Sequence, residues 1–103
     1  MTTEASEHPR HNFDEHLNSP VRLSLLAALV RVDDVEFHTL RDAIEVSDSV
    51  LSKQVVMLET AGYVRVTKGY VGKRPRTWLS ATDDGHEALR RHLQALKAVV
   101  GNL

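Results

Sequence analysis

Between Lys68 and Arg76 the chain reads KGYVGKRPR, with four cations (Lys68, Lys73, Arg74, Arg76) and no acid. Just before it, SVLSKQVV places Ser49, Ser52, Lys53 and Val56 on one side of a helix, with Gln54 at the edge, if Leu51, Val55 and Leu58 take the other. Short hydrogen-bonding side chains beside a cluster of cations suit contact with a polyanion: the cations for phosphates, the polar helix face for the edges of bases. On this reading Lys53 reaches a phosphate or guanine, Gln54 pairs with adenine, and Val56 touches a thymine methyl. Lys68, Lys73, Arg74 and Arg76 are the phosphate contacts, with Arg74 at the tip aimed at a minor groove or backbone. Arg22 and Arg41 could touch flanking phosphates, but solvated surface is the simpler expectation for both.

Other chemistry finds less support. There is no cysteine, which excludes disulfides and thiolate metal sites. No Gly-rich phosphate loop and no G-x-S-x-G is present, so no enzyme activity and no cofactor is expected. Asp33-Asp34 and Asp83-Asp84 sit at helix boundaries, where capping accounts for them. The six histidines have no pair at i, i+4; His86 and His92 are six apart, a poor spacing for shared ligation, and both are expected at a helix surface or a dimer interface.

The elements that must position these residues follow from composition and period. One hundred and three residues make one domain with a modest core. No run approaches the length of a membrane span, and MTTEASEHPRHNFDEH is no signal peptide, so a cytoplasmic protein is expected. The net charge of −1 conceals an asymmetry: residues 1–45 hold four Arg against nine acids, residues 46–80 six Lys and Arg against two acids, and residues 81–103 three of each. A local basic face, not total charge, steers a protein to nucleic acid. Residues 1–12 read as a flexible tail. Ser19-Pro20 starts a buried helix through Val30; Val35–Phe37 could form a very short strand; a second helix covers about His38–Glu45. The third runs from about Ser49 to Ala61, stopped by Gly62. Tyr63–Thr67 and Arg76–Ser80 pair as a hairpin with its tip over Lys68–Pro75 and Trp78 as its apolar anchor. Thr82 caps a last helix with an apolar stripe at Leu89, Leu93, Leu96 and Val100.

The order helix, helix, helix, hairpin, helix is a winged helix-turn-helix, a mostly α (α+β) fold with a β-hairpin wing. Over residues 13–98 the chain resembles the small MarR/ArsR-like winged-helix transcriptional regulators, in SPVRLSLLAAL, SDSVLSKQVVMLETAGYV, KGYVGKRPRTW and LSATDDGHEAL. The resemblance implies a DNA-binding domain at 13–81 and a C-terminal dimerisation helix at 82–103. It implies a third helix (about 49–61) in the major groove, a wing (68–76) on phosphates or a minor groove, and a homodimer on a two-fold-symmetric duplex. The dimer would form through Leu89, Leu93, Leu96 and Val100, with Phe13 and Leu17 contributing. ArsR-type relatives bind metals on the last helix; Asp84-x-His86 begins such a pattern, but Lys97 and Ala98 stand where it would finish, so no metal is expected. A small-molecule effector, as yet unidentified, would sit between the dimer helices and the DNA-reading domain, near Leu17, Leu26 and Trp78. The alternative is a winged-helix protein–protein interaction module without DNA binding.

Overall fold

Ser19-Pro20 opens the first α-helix as its chemistry demands. In the computed structural model, which describes residues 7–101, the Ser19 hydroxyl accepts the Arg22 amide at 3.2 Å. Pro20 takes the first turn, where its missing N–H is not needed. Helix α1 (Pro20–Leu29) is followed by β1 (Val35–Glu36), α2 (Phe37–Ala43), α3 (Asp48–Thr60), the hairpin β2 (Val64–Val71) and β3 (Arg74–Ala81), and α4 (Asp83–Val100). The antiparallel sheet has the order β1-β3-β2. This is the winged helix-turn-helix expected from the sequence. The core joins Leu25, Leu26 and Leu29 of α1 to Leu40, Leu51, Val55, Leu58, Val64, Leu79 and Leu89, and the i, i+4, i+7 period of α3 faces inward as predicted.

Helices α2 and α3 end with the same pair of main-chain bonds. After α3, Tyr63 N–H donates to Leu58 and Gly62 N–H to Glu59, both at 2.9 Å, with Gly62 left-handed at φ 85°. After α2, Val46 donates to Arg41 at 3.2 Å and Glu45 to Asp42 at 3.3 Å. Here the left-handed residue is Glu45, at φ 59°, a conformation that disfavours a Cβ. Glu45→Gly should therefore raise stability by about 1 kcal/mol. Urea unfolding checks it; an unchanged midpoint would mean that the bend of the helix-turn-helix carries no strain.

The wing is longer and its turn tighter than the sequence suggests. The strands run to Val71 and from Arg74, leaving only Gly72-Lys73 between them, with Gly72 at φ 63° in the first turn position as in a type II′ hairpin. Gly69 and Pro75 look like turn residues but lie in the ladder, opposite Arg76 and Tyr70. Tyr70 and Pro75 are the pair next to the closing pair Val71 and Arg74, so the missing N–H of Pro75 would point away from β2. On its other side β1 reaches only Trp78 and Leu79.

The start of the chain also departs from expectation. Residues 1–6 of the predicted tail lie outside the described residues, but Pro9–Asn12 and Glu15–Leu17 form two 3-10 turns, the first of them against α4. The predicted anchor of the return strand shifts by one residue: Leu79 is fully buried, while Trp78 is half-buried on the opposite sheet face, opposite Thr67. Leu17 and Leu26 belong to the core and Trp78 does not, so the apolar pocket expected among the three does not form.

Candidate nucleic-acid interface

The first turns of α3 present Ser49, Ser52, Lys53 and Val56 to solvent, as the period predicts. Val56 is 57% exposed, a large value for an apolar side chain on a packed helix. Ser47 caps the helix by accepting the Val50 amide at 3.2 Å. Asp48 favours the positive end of the helix but would repel a phosphate. Arg41 meets it at 2.8 Å while holding Asp42 at 2.9 Å. That clamp keeps the Asp42 carboxyl below the usual carboxylate range, chiefly through the hydrogen bond from Arg41. Arg41 is thus a brace between α2 and α3 and not a free phosphate ligand. Gln54, half-buried at the edge of the face, has its Oε1 accepting from Arg22 of α1 at 2.8 Å.

Hairpin register divides the wing cations. Val64, Val66, Lys68 and Tyr70 of β2 share one face with Ala81, Leu79, Thr77 and Pro75; Arg65, Thr67 and Val71 share the other with Ser80, Trp78, Arg76 and Arg74. The first face begins in the core and continues past α3. There Lys68 and Thr77 line a groove of about 700 Å³ with Ser52, Val55, Val56 and Glu59. Arg74 and Arg76 stand on the opposite face, and Lys73 lies in the turn. Among the described residues, none of Lys53, Lys68, Lys73, Arg74 or Arg76 forms an ion pair. Tyr70, 76% exposed beside Lys68, and Arg65 were not singled out by sequence; strand alternation could have found both once the register was known.

This polar helix and cationic hairpin fall within residues 21–100, which match the model of a family described as a winged helix DNA-binding domain. The chain belongs to the winged helix DNA-binding domain family. It is similar to an uncharacterised protein of Methanocaldococcus jannaschii, 27% identical over 86 residues that cover 84% of this chain and 94% of that one. Among solved structures it resembles a transcriptional regulator homologue from Pyrococcus horikoshii, with TM-score 0.78 and 31% identity over 84% of this chain and 86% of that one. It also resembles a MarR family transcriptional regulator from Streptomyces coelicolor, solved in complex with DNA. There the TM-score is 0.67 and the identity 28%, over 97% of this chain and 69% of that one. Within the winged helix family the chain is therefore MarR-like.

Helix α4, which closes the winged helix domain, packs against the first of the N-terminal turns. Of the residues expected from sequence to pair two copies, Leu17 (1% exposed) and Leu89 (6%) are part of the chain's own core. The stripe leaves the core as α4 proceeds. Leu96 is half-buried, while Leu93 and Val100 are 43% and 55% exposed, and Val99 is exposed beside them. Phe13 packs its ring on His92, centroids 5.5 Å apart. His92 is not at the surface as expected: it is 2% exposed, and its Nδ1 accepts the Asp14 amide at 3.0 Å. Asp14 also accepts from the His16 amide and from the Tyr63 hydroxyl. Burial, helped by that hydrogen bond to Asp14, pushes the Tyr63 hydroxyl up to about 12. His86 stays exposed on α4, as predicted.

Proposed function

We propose that this chain is a sequence-specific, double-stranded-DNA-binding transcriptional regulator, a repressor that acts in the cytoplasm as a homodimer. Helix α3 lies in the major groove, with Ser49, Ser52, Lys53, Gln54 and Val56 toward the bases. The wing meets phosphates or a minor groove with Lys68, Lys73, Arg74 and Arg76. One observation carries the reading: Lys53 on the exposed polar front of α3, Lys68 beside it, and Lys73, Arg74 and Arg76 farther along the wing form no ion pair among the described residues, while Asp48, the acid at the helix start, is neutralised by Arg41. The DNA complex of the Streptomyces coelicolor relative supports it. Two copies pair through the exposed end of α4 at Leu93, Leu96 and Val100, with Phe13 nearby. The cleft of about 890 Å³ between the N-terminal turns and α4, lined by Phe13, His16, Arg91 and Gln94 among others, is where a small-molecule effector would bind.

Fluorescence anisotropy tests the reading, using the duplex upstream of this protein's own coding region against a scrambled duplex at two salt concentrations. Preference for the native duplex, weakening steeply with salt, is expected. Lys53→Ala should reduce specific binding about tenfold and random-duplex binding much less, whereas Arg74→Ala should weaken both alike. Absence of binding to either duplex at low salt would instead favour a protein-interaction module.

A further inference from the structure

Gln54 differs from Ser52 and Lys53 beside it because its polar end is already engaged. Arg22 reaches its Oε1 through Nη1 at 2.8 Å, and through Nε the same guanidinium donates to the His16 carbonyl at 2.7 Å. A guanidinium only donates, so the amide has to turn its oxygen, not its nitrogen, toward Arg22. The guanidinium is also planar, with its donors in a rigid fork. Once Nε is anchored on a main-chain carbonyl, the direction of Nη1 follows. The orientation of Gln54 is thus set from the N-terminal turn Glu15–Leu17, through an arginine 32 residues away in sequence.

This changes what Gln54 can read. A glutamine recognises adenine with both ends of its amide at once, accepting from N6 and donating to N7. With one of the two lone pairs of its oxygen taken and the direction of that oxygen fixed by Arg22, Gln54 is left with its N–H donors as the uncommitted end. Among the described residues nothing accepts from them.

We propose that Arg22 is a positioning residue that sets the base preference of Gln54, converting it from an adenine reader into a donor that favours guanine O6/N7 or thymine O4 over adenine, whose N7 acceptor stands beside an N6 donor that the held oxygen no longer meets. The inference rests on the assignment of α3 as the DNA-reading helix. It also separates Arg22 from the phosphate-contact role that its charge alone would suggest.

Selection of bound duplexes from a randomised pool tests it, using the wild type, Arg22→Ala, Arg22→Lys and Gln54→Ala, each checked for an unchanged melting temperature. Lysine keeps the charge but is a point donor that cannot span His16 and Gln54 with a rigid fork. One position per half-site should favour guanine or thymine in the wild type and lose that preference in Gln54→Ala. In both Arg22 variants the same position should move toward adenine by about fivefold, a shift within the range one bidentate base contact provides. Other positions and the salt dependence should be unchanged. Adenine at the Gln54-sensitive position in the wild type, or wild-type preferences in the Arg22 variants, would overturn the inference. So would a uniform loss of affinity in Arg22→Ala with a salt slope smaller by about one, which marks a lost phosphate contact. If the wild type enriches no sequence, the DNA-reading assignment itself fails, and this inference fails with it.

Discussion

Gly85→Ala should destabilise the domain by about 3 kcal/mol, the upper part of the range for forcing an extra carbon into a packed site. For a domain of this size that is a fall of roughly 15 °C in melting temperature. The cause is a close crossing of main chains. Gly85 lies in the first turn of α4, buried, and a Cβ there would stand 2.2 Å from the Tyr63 carbonyl oxygen and 3.2 Å from its Cα. Neither side can yield easily. The Tyr63 carbonyl accepts the Thr82 amide at 3.0 Å, the Thr82 hydroxyl donates to the Gly62 carbonyl at 2.6 Å, and Thr82 also caps α4 through the Gly85 amide at 3.0 Å. The sign of the effect is diagnostic. In an exposed helix alanine is better than glycine by about 1 kcal/mol, so a substitution governed by helix propensity would stabilise. Thermal unfolding of the purified variant decides; a melting temperature at or above that of the wild type would show that α4 does not lie against the root of β2.

Replacing Leu93 and Val100 together by aspartate should convert the proposed dimer into a monomer and weaken binding to a two-half-site duplex by about 100-fold or more, the gain that linking two binding modules commonly provides. Both side chains are about half exposed and lie outside the buried core, so their loss removes little from that core and the variant should melt near the wild-type temperature. The same change at Leu89, 6% exposed, would instead unfold the protein, because a charge would be buried without a partner. Sedimentation measures the first effect and anisotropy the second. A variant that still sediments as a dimer would move the pairing surface away from α4.

What the sequence discloses here is what neighbouring residues decide among themselves. Ser19-Pro20 starts a helix, Gly62 ends one, Thr82 caps another, and the period of Leu51, Val55 and Leu58 orients α3. Each is settled within a few residues, so each could be read from the chain. The polar face of α3 and the cationic wing follow from the same local rules. The features that escaped depend on partners far along the chain. Gln54 meets Arg22 across 32 residues, Tyr63 meets Asp14 across 49, and His92 meets Asp14 across 78. Nothing near His92 signals that its imidazole will be buried under Phe13. The division of the wing cations between two faces awaited the register. A two-residue turn puts Arg74 across from Val71 and Arg76 across from Gly69, whereas a longer turn would have reassigned both.

The crossing at Gly85 also bears on motion. With no side chain between them, the start of α4 and the root of the hairpin are in main-chain contact, and Thr82 pins both. In the proposed dimer, α4 and the wing would move together about that crossing. In a two-fold assembly, a small change in the angle at which the α4 helices meet would be amplified along the hairpin and would alter the distance between the two wing tips. The spacing of half-sites that the protein tolerates would then report on the crossing angle, and anything that altered that angle would act on DNA without touching the reading helix.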